Sequence, residues 1–108
     1  MAVGRKGKKQ FQDLFDEVIP FTASVTLTAT AGSETQATVT VTGAAVGDAV
    51  IWGLEEDMEA GVIAANVNAA DTVEFTLVNA TASTITIASA TVNGAVLKWN
   101  PALGNADF

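Results

Sequence analysis

The hydrophobic positions of this chain change their period once, close to residue 21. From Thr22 onward they recur at every second residue. Val25, Leu27 and Ala29 alternate with Ser24, Thr26, Thr28 and Thr30; Ala37, Val39 and Val41 alternate with Thr38, Thr40 and Thr42. Extended backbone points successive side chains to opposite sides, so this pattern predicts strands with one face in a core and one in water. Ala31-Gly32-Ser33 is a turn, and the first two strands are expected to form an antiparallel hairpin. The chain then turns through residues 43–48 and re-enters as Ala49-Val50-Ile51-Trp52. Further strands are predicted over residues 61–68 and 72–79; in the latter Val73, Phe75 and Leu77 face inward. Residues 84–87 read as a short strand or an extended connection. Residues 91–99 form the last strand, with a bulge or close approach at Gly94. The expectation is an all-β fold, a small antiparallel β-sandwich or barrel of six to seven strands over residues 22–100, with a tail over residues 101–108. No alternation of strand and helix points to a parallel sheet.

Upstream the period is different. Phe11, Leu14, Phe15 and Val18 stand at i, i+3, i+4 and i+7, with Gln12, Asp13, Asp16 and Glu17 between them. That is one apolar face of a helix, stopped by Pro20. At about two turns it is too short to stand alone in water. Its stripe therefore needs a surface, either its own β body or a groove on a neighbouring subunit. Residues 1–21 thus read as a separate leader: a basic arm followed by a short amphipathic helix.

Charge sharpens this division. Arg5, Lys6, Lys8 and Lys9 give residues 1–9 a side-chain charge of +4, while residues 10–108 hold Lys98 against all twelve acids, a net −11. Residues 1–9 read either as a solvated terminus or as an arm that orders on an acidic partner surface. The body repels phosphates, so nucleic-acid binding is not expected. No apolar run approaches the ~20 residues that span a bilayer, and the basic start leads into no apolar signal core. The absence of cysteine excludes a disulfide frame and suits an intracellular origin, or a particle assembled in the cytoplasm.

Candidate chemistry is sparse. The chain has no histidine, which removes the commonest general base and metal ligand, and no cysteine nucleophile. Asp48 and Asp71 occupy turn positions, where aspartate bonds nearby backbone. Glu55, Glu56, Asp57 and Glu59 form an acidic connection whose spacing is not that of a calcium loop, so a solvated loop is the reading. No phosphate loop or dinucleotide fingerprint is present. The expectation is a non-enzymatic protein without cofactor or metal. The candidate binding residues are Arg5, Lys6, Lys8, Lys9, Phe11, Leu14, Phe15 and Val18.

One set of positions carries a resemblance. Gly43, Ala44, Val46, Gly47, Asp48 and Val50 are followed by Gly61, Ala65 and Val67, then by Ala70, Asp71, Thr72, Val73, Leu77 and Asn79. Over residues 22–99 this resembles a small β-domain found among the structural proteins of tailed bacteriophages. The resemblance implies a virion protein, a capsid decoration or cement protein on the outer surface of the head, assembled in the host cytoplasm. It further implies the major capsid protein as partner and a homo-oligomer, with a trimer favoured. A head-fibre, neck or tail component is the alternative within that family, and a carbohydrate- or surface-binding module the alternative outside it. The basic leader is an addition to the plain domain, and the resemblance supplies no catalytic residue.

Overall fold

The computed structural model describes residues 14–100. Six strands follow in chain order: β1 Phe15–Ala29, β2 Glu34–Thr40, β3 Ala49–Leu54, β4 Val62–Ala69, β5 Thr72–Val78 and β6 Ile85–Trp99. They form two antiparallel three-stranded sheets, ordered β1-β6-β3 and β2-β5-β4, whose inner faces pack together as a small β-sandwich. The sequence expectation of an all-β sandwich is met. Among the described residues no helix is long and apolar enough to cross a membrane.

The core follows from the alternation. Val25, Leu27 and Ala29 of β1 and Ile85, Ile87, Val92 and Val96 of β6 face Val39 of β2, Val67 of β4 and Val73, Phe75 and Leu77 of β5. Phe75 is its centre: Trp52 and Phe21 of the opposite sheet meet its ring edge-on, at centroid distances of 5.5 and 6.4 Å. Full burial of each such side chain contributes roughly 1.5–3 kcal/mol relative to exposure. The outer face of β2-β5-β4 is polar over most of its length, with Gln36 beside Thr76, Thr38 beside Glu74 and Thr40 beside Thr72.

Three expectations are corrected. Over residues 15–20 the helix expected before Pro20 gives way to strand, while Phe11, Gln12 and Asp13 of that expected helix lie outside the described residues. Residues 15–20 are the start of β1, paired with residues 95–99 of β6. Ile19 and Phe21 extend the alternation of Ala23 and Val25 upstream and pack on the core. Extended backbone thus gains both a ladder and core contacts, which a two-turn helix lacks. Pro20 is tolerated because β1 pairs on one side only, and an edge strand has no second ladder to break. β1 therefore runs unbroken through the boundary expected between residues 21 and 22.

The second correction is the hairpin. β1 and β2 belong to different sheets, so the turn at residues 30–33, closed by the Ser33 N–H on the Thr30 carbonyl (3.1 Å), passes the chain from one layer to the other. Third, the two segments expected over 84–99 are one strand. A bulge opposite Thr26 places an extra residue in β6, with Ser89 at φ 49° and its N–H donating to Thr26 Oγ1 (3.0 Å). The inward set shifts from Ile85 and Ile87 to Ala90 and Val92. The close approach expected at Gly94 is present: a Cβ there would lie 2.6 Å from the Ile51 carbonyl oxygen and 2.7 Å from Phe21 Cζ.

Candidate docking surface

Of the candidate binding residues, Arg5, Lys6, Lys8, Lys9 and Phe11 lie outside the described residues. Leu14, Phe15 and Val18 lie where β1 enters its sheet. The Leu14 carbonyl accepts from the Asn100 N–H (3.0 Å), which ties the two ends of the described chain together. Phe15 packs on the indole of Trp99, ring centroids 4.9 Å apart. Phe15 and Val18 are strand residues rather than part of a helical stripe. A second bulge, between Phe15 and Glu17, turns Val18 to the outer face of the β1-β6-β3 sheet, where it is 45% exposed.

Register shows what Val18 joins. Directly paired residues of an antiparallel sheet share a face. Val18, Leu97 and Ala49 therefore form one outward row, and Pro20, Ala95 and Ile51 the next. Phe15 and Trp99 stand beyond the first row, and Thr22, Asn93 and Gly53 end the run. Ile51 is 56% exposed and Trp99 44%, while Ala95 and Leu97 on the same face are buried. The result is a continuous apolar strip with no charged side chain in its rows. An open depression of about 440 Å³ lies at its margin, lined by Ile51, Trp52, Asn93, Gly94 and Ala95. Beyond Asn93 the surface turns acidic: Asn93 Nδ2 donates to Glu55 Oε2 (2.6 Å), and Glu55 opens the loop of Glu56, Asp57 and Glu59.

Sequence reading missed that Ile51, Ala95, Leu97 and Trp99 face away from the core between the sheets. The available signal was the unbroken apolar runs Ala49–Trp52 and Ala95-Val96-Leu97, which alternation toward one core does not require. Such runs mark strands covered on both faces.

The positions that carry the phage resemblance build the fold. Gly43 and Gly47 hold φ of 99° and 103°, open to glycine and costly for other residues. Asp48 Oδ2 accepts from the Ala45 N–H (2.9 Å) and from Lys98 Nζ (2.7 Å), while Lys98 Nζ also reaches the Gly43 carbonyl (3.0 Å). Asp71 Oδ1 accepts from the Gly43 N–H (2.8 Å), and the Asp71 N–H donates to the Ala44 carbonyl (2.8 Å). The two aspartates thus pin the β2–β3 connection to β6 and to the β4–β5 turn. Trp99 Nε1 donates to the Gly47 carbonyl (3.1 Å), placing the same turn beside the apolar strip. Asn79, fully buried, joins the opposite end: Nδ2 donates to the carbonyls of Ala29, Thr30 and Ser83, and Oδ1 accepts from Thr81 N and Oγ1.

Among the described residues no group of three or more acidic side chains is placed to hold a metal ion. No buried side-chain nitrogen or oxygen among them lacks a hydrogen-bond partner. The acidic loop is ordered by its own backbone, with the Glu59 N–H on Asp57 Oδ1 (3.0 Å). Compared with protein-family models, with curated proteins and with solved structures, the chain finds no match in any of the three.

Proposed function

We propose that this protein is a non-enzymatic structural module that docks on a large assembly, a decoration or cement protein on the outer surface of a tailed-phage head, with the major capsid protein as partner. The observation that carries the docking role is the outward strip of Val18, Pro20, Ile51, Ala95, Leu97 and Trp99, which begins where the leader joins β1. An enzyme is disfavoured by the residues themselves: the chain has no histidine or cysteine, and Lys98, the one amine side chain beyond residue 9, is engaged by Asp48. The virion setting rests on the resemblance carried by residues 43–50 and 61–79.

In this reading Arg5, Lys6, Lys8 and Lys9 meet capsid carboxylates and Phe11 adds an apolar anchor. Leu14, Phe15 and Val18 belong to the body. A molecule that binds the assembled lattice better than loose subunits stabilises the lattice by mass action. Deleting residues 1–13 leaves β1 whole, whereas a cut after residue 19 would remove the first five residues of that strand. The truncated chain should keep its β-type circular dichroism and cooperative melt yet fail to sediment with emptied phage heads. Full occupancy on heads without residues 1–13 rejects the arm's role; no binding of the intact chain to heads rejects the capsid setting. The carbohydrate reading is weaker, because the indole N–H of Trp99 is already given to the Gly47 carbonyl and its ring to Phe15.

A further inference from the structure

We infer that Asn93-Gly94 is a covalent modification site, a deamidation point that the folded sandwich holds closed and that unfolding opens, leaving a chain that folds back poorly. The inference is independent of what the chain docks on.

Packing puts the reactive pair there. Of the chain's asparagines only Asn93 is followed by glycine. Position 94 requires glycine, because a Cβ would lie 2.6 Å from the Ile51 carbonyl oxygen and 2.7 Å from Phe21 Cζ. Residue 93 bridges two partners on the outer face: Thr22 Oγ1 donates to Asn93 Oδ1 (3.0 Å), and Asn93 Nδ2 donates to Glu55 Oε2 (2.6 Å). A side-chain amide supplies that acceptor and that donor together. Asparagine is chemically thermolabile, and a following glycine leaves the freed backbone able to bring its nitrogen onto the side chain.

In the reaction the Gly94 nitrogen loses its proton and attacks Asn93 Cγ. The new N–C bond forms, the Cγ–Nδ2 bond breaks and ammonia leaves. Water then opens the cyclic imide at either carbonyl, giving aspartate or isoaspartate. Water has entered and ammonia has left, so the mass rises by one unit.

The fold blocks the first step. β6 is the middle strand, paired with both β1 and β3. The Glu55 N–H on the Thr91 carbonyl (2.9 Å) continues the β3–β6 ladder as a hydrogen-bonded pair. Alternation then turns the Asn93 backbone toward β3 and the Gly94 N–H toward its partner Phe21 in β1. The nucleophile thus lies in the sheet, engaged by a carbonyl, while the Asn93 side chain stands out from it. Attack requires β6 to leave its neighbours.

The products do not fit the vacated place. Aspartate sets a carboxylate against Glu55 where the amide donor was. Isoaspartate adds a carbon to the backbone of β6 and shifts its register against both neighbours.

The test holds the full chain slightly above neutral pH, with and without denaturing guanidinium chloride, and follows it by intact and peptide mass spectrometry. The unfolded chain should gain its mass unit at Asn93 before any other asparagine, at least about tenfold faster than the native chain, whose unfolded fraction is small. Asn79→Ala should speed the native reaction from the other end of the sandwich, because it raises that fraction. Once the denaturant is removed, the isoaspartate-bearing chain should fail to regain the native melt. Asn93→Asp should lower the melting temperature by roughly 3–6 °C. Adding Glu55→Gln, which returns an amide donor to the pair, should restore most of the loss. Equal rates with and without denaturant overturn the inference, as does faster gain at another asparagine or normal refolding of the isoaspartate chain.

Discussion

Asn79→Ala should be the most damaging single truncation outside the apolar core. The asparagine side chain has five hydrogen-bond contacts within 3.2 Å, three of them sharing the two Nδ2 hydrogens, and they join three segments: the end of β1, the turn to β2 and the β5–β6 loop. The bond to the Ala29 carbonyl is buried and the other four are part-buried. Leaving one buried carbonyl without this donor costs ~1–3 kcal/mol, and the part-buried groups, which regain some water, lose about 0.5 kcal/mol each. The sum is about 4 kcal/mol, set against a total stability of ~5–15 kcal/mol for a domain of this size. Urea unfolding followed by tryptophan fluorescence should show the midpoint fall with an unchanged slope, since the same surface is exposed. Thr81→Val removes one arm of the same knot and should cost about 1 kcal/mol. Combined with Asn79→Ala it should be less than additive, because the two share a bond. A loss below about 1 kcal/mol for Asn79→Ala at constant slope would refute the claim that this knot, rather than the turns it touches, holds the two layers together at that end.

Other substitutions probe the remaining joints. Gly94→Ala should destabilise by ~3 kcal/mol or more, and Phe21→Leu should not rescue it, because the nearer obstacle is the Ile51 carbonyl oxygen rather than a movable ring; a thermal melt of single and double variants checks this. Gly47→Ala has free space for its methyl but φ of 103°, so its cost should be purely conformational, about 1–2 kcal/mol, with the native strand content retained. Lys98→Met breaks the 2.7 Å pair with Asp48 and the bond to the Gly43 carbonyl, and should lower stability by roughly 1–2 kcal/mol in chemical denaturation. Equal losses for Lys98→Met and Asp48→Asn, with no further loss on combining them, would mark the pair as a single unit.

The strands were legible wherever one face meets the core and the other meets water. Val73, Phe75 and Leu77 against Thr72, Glu74 and Thr76 is the clearest case, and β5 falls where the alternation puts it. Legibility failed where two signals overlap. Phe15 and Val18 fit a helical stripe only because a bulge at residue 16 gives the entry of β1 a three-residue spacing. The bulge in β6 likewise splits one strand into two apparent pieces. The turn at residues 30–33 is short enough for a hairpin, and nothing in Thr30-Ala31-Gly32-Ser33 records that the next strand belongs to the other layer. The strip was hidden for a related reason: Ile51 and Leu97 looked like ordinary core residues inside apolar runs, and only the register of β3 on β6 turns them outward. Asn79 and Asp71 were visible as parts of a motif, but their bonds to distant segments are tertiary facts.

The two outer faces pose one physical question. The β2-β5-β4 face is mostly clad in threonine and other polar residues, so this chain can make a sheet surface that water tolerates. On the β1-β6-β3 face it does so only from Thr22 and Asn93 onward, and leaves Val18, Ile51 and Trp99 open at the end where the leader begins. Single exposed apolar residues need no explanation, but contiguous ones mark contact surfaces. From the Trp99 row to the Asn93 row the strip covers six residue steps of β6, and at ~3.3 Å per residue and ~4.8 Å per strand its footprint is roughly 300 Å². Covering roughly 300 Å² on each of two surfaces yields at most about 15 kcal/mol at ~25 cal/mol per Å², no more than the upper end of the ~4–15 kcal/mol lost on immobilising a partner. The strip by itself therefore stands near balance. Such a contact is weak for a free molecule and becomes strong once a leader already engaged on the partner holds the strip against it, where effective concentration removes most of the entropic penalty. A surface tuned to that point suits a protein that completes an ordered array better than one that forms a tight complex in free solution.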